Sequence, residues 1–329
     1  MRMPAEWAPQ SAILFAWPCS AKIWPDSRPQ ILNDFAKLIT EVSRFTTVKL
    51  LCQKNFQKEA TNFIGEEADV TFLDIETDDV WCRDFGPITI CDDRKKSIIS
   101  WGFNAWGGKF ADFAKDNAAP AKIAQHENLD CIEVPFILEG GAMEVNGTGL
   151  GITTENVIYN SNRNSTEQKE ALTEAIKKHF GLNELIVLED GLINDDTDGH
   201  IDNITRFVSE DTVITCTCPE ENPNYDILQQ NLKQLKSWNS KDGSKLKIVE
   251  LPLPDPIYLD GEILPASYAN FLISNDAVFI PSFNQNYSDL LAEKILQDCF
   301  PNKKIIAIDC RYFLLEGGAI HCLSQQLLT

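Results

Sequence analysis

The pentapeptide Leu-Glu-Gly-Gly-Ala occurs twice in this 329-residue chain, at 138–142 and at 315–319, and Cys322 falls where the first copy has Val145. A second echo pairs Phe-Val-Ser-Glu-Asp-Thr-Val-Ile, 207–214, with Leu-Ile-Ser-Asn-Asp-Ala-Val-Phe, 272–279, at an offset of 65. The first pair lies 177 residues apart, about three steps of 59, and polar or glycine-rich strand ends recur near Asp84, Glu139, His200, Ser267 and Gly318 at intervals of 51 to 67. Self-similarity on such a period implies one supersecondary unit reused around a common centre. Residues distant in sequence then meet where the units present their strand ends.

The unit reads as α/β. Apolar residues at three- and four-residue spacing predict helices over 28–45, 57–64, 112–126, 165–180, 224–238 and 287–300. Short apolar runs of the kind found in covered strands lie at 48–51, 132–134, 185–188 and 305–308. The proline-bearing stretch 251–268 is expected to be a surface loop or lid. With no linker in view, residues 1–329 are expected to form a single domain.

A formal net charge of -20 argues against nucleic acid or an anionic membrane as partner, and suits a cationic small molecule or plain solubility. No run reaches the roughly 18 apolar residues of a membrane helix, and the N-terminal residues lack the apolar stretch of a secretory signal. Ten cysteines occur without any C-x-x-C pair, so a zinc site is not expected. Free thiols in that number point to a reducing cytoplasm, most of them filling core space.

Four polar clusters could carry chemistry. They are Trp81-Cys82-Arg83-Asp84-Phe85-Gly86-Pro87; Leu138-Glu139-Gly140-Gly141; the run from Asp195 to Asn203; and Gly317-Gly318-Ala319-Ile320-His321-Cys322. His200 and Asp202, two apart, share a face if they lie on a strand, and a histidine beside a carboxylate is an acid–base pair. The acidic run 195–198 lacks the spaced ligands and terminal Glu of a calcium loop. On a strand, adjacent His321 and Cys322 point to opposite faces, which makes His321 a poor base for the thiol and leaves that part to His200.

Together these clusters resemble the agmatine deiminase / Porphyromonas-type peptidylarginine deiminase family of the guanidino-group-modifying superfamily. Met-Pro-Ala-Glu-Trp (3–7), Ala-Trp-Pro (16–18) and Asn-Arg-Asn (162–164) fit the same pattern, so the resemblance spans nearly the whole chain. It implies the pentein fold, a five-bladed α/β propeller of ββαβ modules with pseudo-fivefold symmetry; the strand-end segments number six when Trp17 is included, so the first and last are expected to share a blade. It also implies Cys322 as nucleophile, His200 as general acid and base, Asp84 and Asp202 as a clamp on the guanidinium, and Glu139 supporting His200 or the guanidinium. A planar guanidinium with forked N–H groups matches carboxylates bidentately, and its charge offsets the cost of burying them. Phe85 departs from the small polar residue common at its position and is expected to narrow or dry that side of the pocket.

The resemblance implies no cofactor and no metal, and a small cationic guanidino substrate as partner, with a homodimer as the assembly considered. Agmatine is the expected substrate, its far ammonium held by Trp17, Trp81 or Asp198. The alternatives are a peptidylarginine or free-arginine deiminase and, in a different class, a catalytically silent binding ring. Carboxylates near Cys322 should raise its thiol pKa, which protonated His200 or the substrate cation would offset.

Overall fold

The computed structural model describes residues 1–92, 95–241 and 243–329. Its strands are β1 (Gln10–Ala16), β2 (Val48–Leu51), β3 (Val70–Leu73), β4 (Ile88–Cys91), β5 (Lys96–Gly102), β6 (Asp130–Ile137), β7 (Glu144–Val145), β8 (Leu150–Thr154) and β9 (Glu184–Leu188). They continue with β10 (Thr205–Ser209), β11 (Thr212–Thr217), β12 (Lys247–Pro252), the hairpin strands β13 (Tyr258–Leu259) and β14 (Glu262–Ile263), β15 (Leu272–Ile273), β16 (Ala277–Ser282), β17 (Lys304–Asp309) and β18 (Gln325–Leu328). The long helices are α1 (Arg28–Ser43), α2 (Gln57–Ile64), α3 (Ala114–Glu127), α4 (Lys169–Phe180), α5 (Tyr225–Ser237) and α6 (Asn286–Cys299), each within a few residues of its predicted span.

Among the described residues, one arrangement recurs in five mixed sheets. A short first strand pairs antiparallel with the second, and the second pairs parallel with a third reached through a helix. This holds for β4-β5-β6 across α3, β7-β8-β9 across α4, β10-β11-β12 across α5 and β15-β16-β17 across α6. A right-handed crossover helix is the usual way to join parallel neighbours, which is why each second strand is followed by an amphipathic helix. Helix α4 is representative: Leu172, Ile176 and Phe180 are its buried residues, and Gly181 ends it with φ of 70°.

The remaining sheet, in the order β18-β1-β2-β3, is closed by the C-terminal strand. Strand β18 pairs antiparallel with β1, Ile13 opposite Gln326 and Leu14 opposite Gln325. The two ends of the chain thus share one sheet, as the count of strand-end segments suggested.

The sequence echoes occupy equivalent places. The 207–214 and 272–279 segments form the β10-β11 and β15-β16 hairpins, the former with a bulge between Phe207 and Ser209 that shifts its register. Both Leu-Glu-Gly-Gly-Ala copies lie in the connection from a third strand to the next first strand, β6 to β7 and β17 to β18. The proline-bearing stretch is partly ordered as the exposed β13-β14 hairpin, which Asn194 ties down by donating its amide to Glu262 Oε2 at 2.9 Å.

Candidate active site

The polar clusters do not sit on strands. Each forms a short helical turn, or the residue just before one, immediately ahead of a sheet's first strand. Asp84 lies in the turn Cys82–Phe85, Glu139 precedes the turn Gly140–Ala142, His200 precedes Ile201–Asn203, and Cys322 lies in Ile320–Leu323. The expectation that His200–Asp202 and His321–Cys322 follow strand alternation is therefore corrected. Glycine pairs and backbone turns let the chain tighten here before it enters the sheet.

These turns converge. His200 is fully buried, with Nδ1 at 3.5 Å from Asp84 Oδ1 and Nε2 at 4.0 Å from Glu139 Oε2. Asp202 Oδ2 lies 3.7 Å from Cys322 Sγ. Gly141 sits so close beneath the group that a Cβ there would lie 2.6 Å from His200 Nδ1 and 2.7 Å from Asp84 Oδ1. Five residues expected to carry the chemistry, Cys322, His200, Glu139, Asp84 and Asp202, are thus brought together from four segments.

Buried polar atoms nearly always find partners, so a group of them left without one beside a cavity calls for a reason, such as a catalytic role or a ligand. Among the described residues, both ring nitrogens of His200 and Oδ1 of Asp202 are buried without a hydrogen bond. Asp84 and Cys322 line a cavity with Trp81, Trp106, Phe110, Thr197, Gly317, Gly318 and, at its mouth, Asp79, Asp196 and Glu316. No lysine, arginine or histidine is among these lining residues. An outer vestibule shares Asp79, Phe110 and Glu316 with it.

The electrostatics follow from burial. Loss of water pushes the Asp84 carboxyl up to about 6; the charges on Asp202 and Glu139 add to this, while His200 and the Trp106 indole oppose it. Burial also pushes the Cys322 thiol well above its usual range, Asp202 and Asp84 reinforce this, and the Ala319 amide and Asn270 side chain work against it. Asp202 goes the other way. Burial would raise it, but the hydrogen bond and charge of His321 hold it below the ordinary carboxylate value.

Several supporting residues were not anticipated from the sequence. Trp106 donates Nε1–H to Asp84 Oδ2 at 2.9 Å from a loop in which Ala105 and Trp106 both take left-handed φ, 54° and 53°. Such strain persists where the surroundings hold a side chain in place. Arg163, the centre of the Asn-Arg-Asn motif, donates Nε–H to both oxygens of Glu139 at 2.8 and 3.0 Å and NH1 to Asp198 Oδ2 at 2.6 Å. Asn270, in the fifth equivalent segment ahead of β15, donates to Cys322 Sγ at 3.0 Å and accepts from the His321 backbone amide.

Of the residues expected at the substrate's far end, Trp81 lines the cavity. Trp17 does not. It is fully buried in the core, edge-on to Phe35 at 6.5 Å, and donates to Glu59. Asp198 is also outside the lining, its carboxylate shared between Lys109 and Arg163 at 2.7 and 2.6 Å. The mouth offers Asp79, Asp196 and Glu316 instead. Phe85 packs against Phe103 at 6.1 Å and does not reach the cavity.

The family model described as Porphyromonas-type peptidyl-arginine deiminase matches residues 2–327. A variant of the C. jejuni agmatine deiminase solved with substrate bound is 35% identical, with a TM-score of 0.91 over 100% of this chain and 96% of that one. The agmatine deiminase of Enterococcus faecalis is 27% identical, with a TM-score of 0.93 over 99% of this chain and 95% of that one. The Pseudomonas aeruginosa DDAH complexed with citrulline, 15% identical at a TM-score of 0.50 over 97% of this chain and 100% of that one, is alike in fold. These likenesses support the pentein fold, assembled here from mixed α/β sheets.

Proposed function

The chain belongs to the Porphyromonas-type peptidyl-arginine deiminase family, and we propose that it is an agmatine deiminase, hydrolysing agmatine to N-carbamoylputrescine and ammonia. One observation carries the choice of substrate: the cavity is acidic at both ends and lined by no cationic side chain. Agmatine is a dication, with a guanidinium for the deep carboxylates and an ammonium for the mouth, where Trp81, Trp106 and Phe110 add aromatic faces. Free arginine would bring a carboxylate to Asp79, Asp196 and Glu316. Arg83 is no counter-ion for it, since its Nε donates to the His321 carbonyl and its NH1 to Gln326.

In this reading Asp84 and Asp202 clamp the guanidinium, and the Cys322 thiolate attacks its central carbon. A C–S bond forms and the planar carbon becomes tetrahedral. His200 then protonates the departing nitrogen, the C–N bond breaks, and ammonia leaves a covalent thiouronium. Water attacks that carbon while His200 takes a proton from it. Collapse breaks the C–S bond, giving the ureido product and free thiol. Glu139, held by Arg163, faces His200 Nε2 and supports the ring in place. The five sheets act as five blades of one α/β propeller, the whole chain forming one catalytic unit.

The test is ammonia release measured side by side on agmatine, arginine and an arginyl peptide. Agmatine is expected to have the highest kcat/KM. Preference for arginine or the peptide would assign the alternative deiminase activity, and no turnover of any guanidine would leave a binding ring. Cys322→Ala should abolish turnover and keep agmatine binding; activity near wild type in that variant would refute the nucleophile.

A further inference from the structure

Beside the Cys322 thiol, starting from Asp202, lies a nest of buried charge. Glu6, Glu144 and Asp202 supply three carboxylates, and Arg83 and Arg206 two guanidiniums, all buried. Arg206 pairs with both Glu6 and Glu144, and Arg83 NH2 lies 3.9 Å from Glu6. The guanidiniums leave one negative charge over. The residue in position to balance it is His321, whose Nδ1 lies 2.7 Å from Asp202 Oδ2 and whose Nε2 lies 2.8 Å from Glu6 Oε2. Carboxylates only accept, so a ring bonded to one on each side carries hydrogen on both nitrogens. The ligand atoms of Glu6, Glu144 and His321 lie within 4.8 Å of one another, close enough for a metal ion. Arg206 already donates to both carboxylates there, so the cation this site calls for is part of the chain.

We infer that His321 is a positioning residue for the reaction: as an imidazolium strung between Glu6 and Asp202, it fixes the Asp202 carboxylate beside the Cys322 thiol and leaves Oδ1 unpaired for the substrate guanidinium. Asp202 Oδ2 is taken by His321, while Oδ1 is the buried oxygen with no partner among the described residues. The other groups facing the ring or its nest are Glu144, Arg83, Arg206 and the neighbouring Cys322. The arrangement gives the N-terminal segment a part in the site: Glu6 accepts from His321, from Arg206 and from the Ile273 amide, fixing the far end of the chain of bonds. It also explains why His321 cannot serve as the base for Cys322, since neither ring nitrogen is free to accept. The inference rests on a guanidino substrate for its catalytic consequence but not for its geometry.

Two measurements test it. The first is side-chain nitrogen NMR of the wild-type enzyme. The chain has only four histidines, so His321 can be assigned by comparison with His321→Asn. The expected result is both ring nitrogens of His321 protonated at neutral pH; a neutral ring there overturns the inference. This readout needs neither turnover nor a folded variant of full activity, so it stands even if no guanidine proves to be a substrate. The second is the kinetics of two variants on agmatine. An Asn amide at 321 can replace the Nδ1 donor to Asp202, whereas Gln reaches toward the Nε2 position. His321→Gln should raise KM about 10- to 100-fold, the loss of one charge-assisted bond, with a smaller change in kcat, and His321→Asn should recover part of the affinity. Loss confined to kcat, or equal KM for wild type and His321→Gln, overturns it.

Discussion

At the residue scale the site is a problem of buried charge. Asp84 and Asp202 are nearly or fully inaccessible, and two carboxylates so placed are costly unless hydrogen bonds or a cation compensate. Their environments push them apart. Asp202 is held ionised by His321, while Asp84, shifted to about 6, is the carboxylate a proton can still occupy near neutrality. Agmatine and that proton compete, so KM for agmatine should fall as pH rises through about 6 and level off above it; a KM flat across that range would contradict the role of Asp84. Asp84→Asn removes a charge-assisted contact and should weaken binding about 10- to 100-fold while kcat also drops, measurable by steady-state kinetics. For Cys322, whose thiol burial and neighbouring carboxylates push up, the thiolate should form mainly in the cationic complex. Alkylation at neutral pH should therefore be faster with a non-reacting guanidine bound than without, allowing for shielding by using a small alkylating agent. No acceleration would sink that idea. The roles assigned to the five residues that converge here belong to the proposal, but the residues themselves were picked out in the sequence through polar clusters that match the family's motifs. Arg163, Trp106 and Asn270 were not, because each acquires its role only when another sheet brings a partner to it.

The element that makes the site is the short turn ahead of each first strand, and here sequence reading had mixed success. The six long helices were recoverable because a period near 3.6 repeats over several turns, as in Leu228, Leu232 and Leu235 of α5. Turns of three or four residues carry no period, so Ile201–Asn203 and Ile320–Leu323 passed for strand ends. Trp17 failed for a related reason. Ala-Trp-Pro marks the end of β1, but the end of that strand faces α1 and α2, and its indole is spent on Glu59. The turns work because glycine lets them touch. Gly141 approaches His200 and Asp84, and a Cβ at Gly318 would stand 2.3 Å from the Trp81 ring. Gly141→Ala should then displace His200 and Asp84 and cut kcat about 100-fold or more. Gly318→Ala should move Trp81 and act chiefly on KM. Wild-type kcat in the first variant would show that the contact can relax at no cost to the chemistry.

Over the whole molecule the acidic balance becomes a statement about stability. The net charge is -20, and several carboxyls sit above their free values: Asp84 at about 6, and Asp79 and Asp116 each at about 7, all three raised first by burial. Asp79 stands at the mouth of the cavity, and Asp116 accepts the backbone amides of Asp78 and Asp79 behind it. A carboxyl with a raised pKa keeps its proton in the folded chain over a range where the unfolded chain has lost it. Unfolding free energy therefore falls as pH rises from about 4 through about 7. Glu6 and Asp202, held low by their cationic partners against the cost of burial, act in the opposite sense, and their contribution is lost as pH drops below about 4. The ligand-free protein should be most stable on the acid side of neutrality, between those two limits. A bound dication replaces the missing protons with fixed positive charge at both ends of the cavity, so its effect should be larger where the carboxyls are ionised. Thermal unfolding of Cys322→Ala with and without agmatine, near pH 5.5 and near pH 7.5, measures this without turnover. The expected outcome is a greater rise in Tm at the higher pH, because agmatine affinity enters Tm by mass action and that affinity grows as Asp84 and Asp79 lose their protons. Equal shifts at the two pH values would mean that these carboxyls do not meet the substrate's charge.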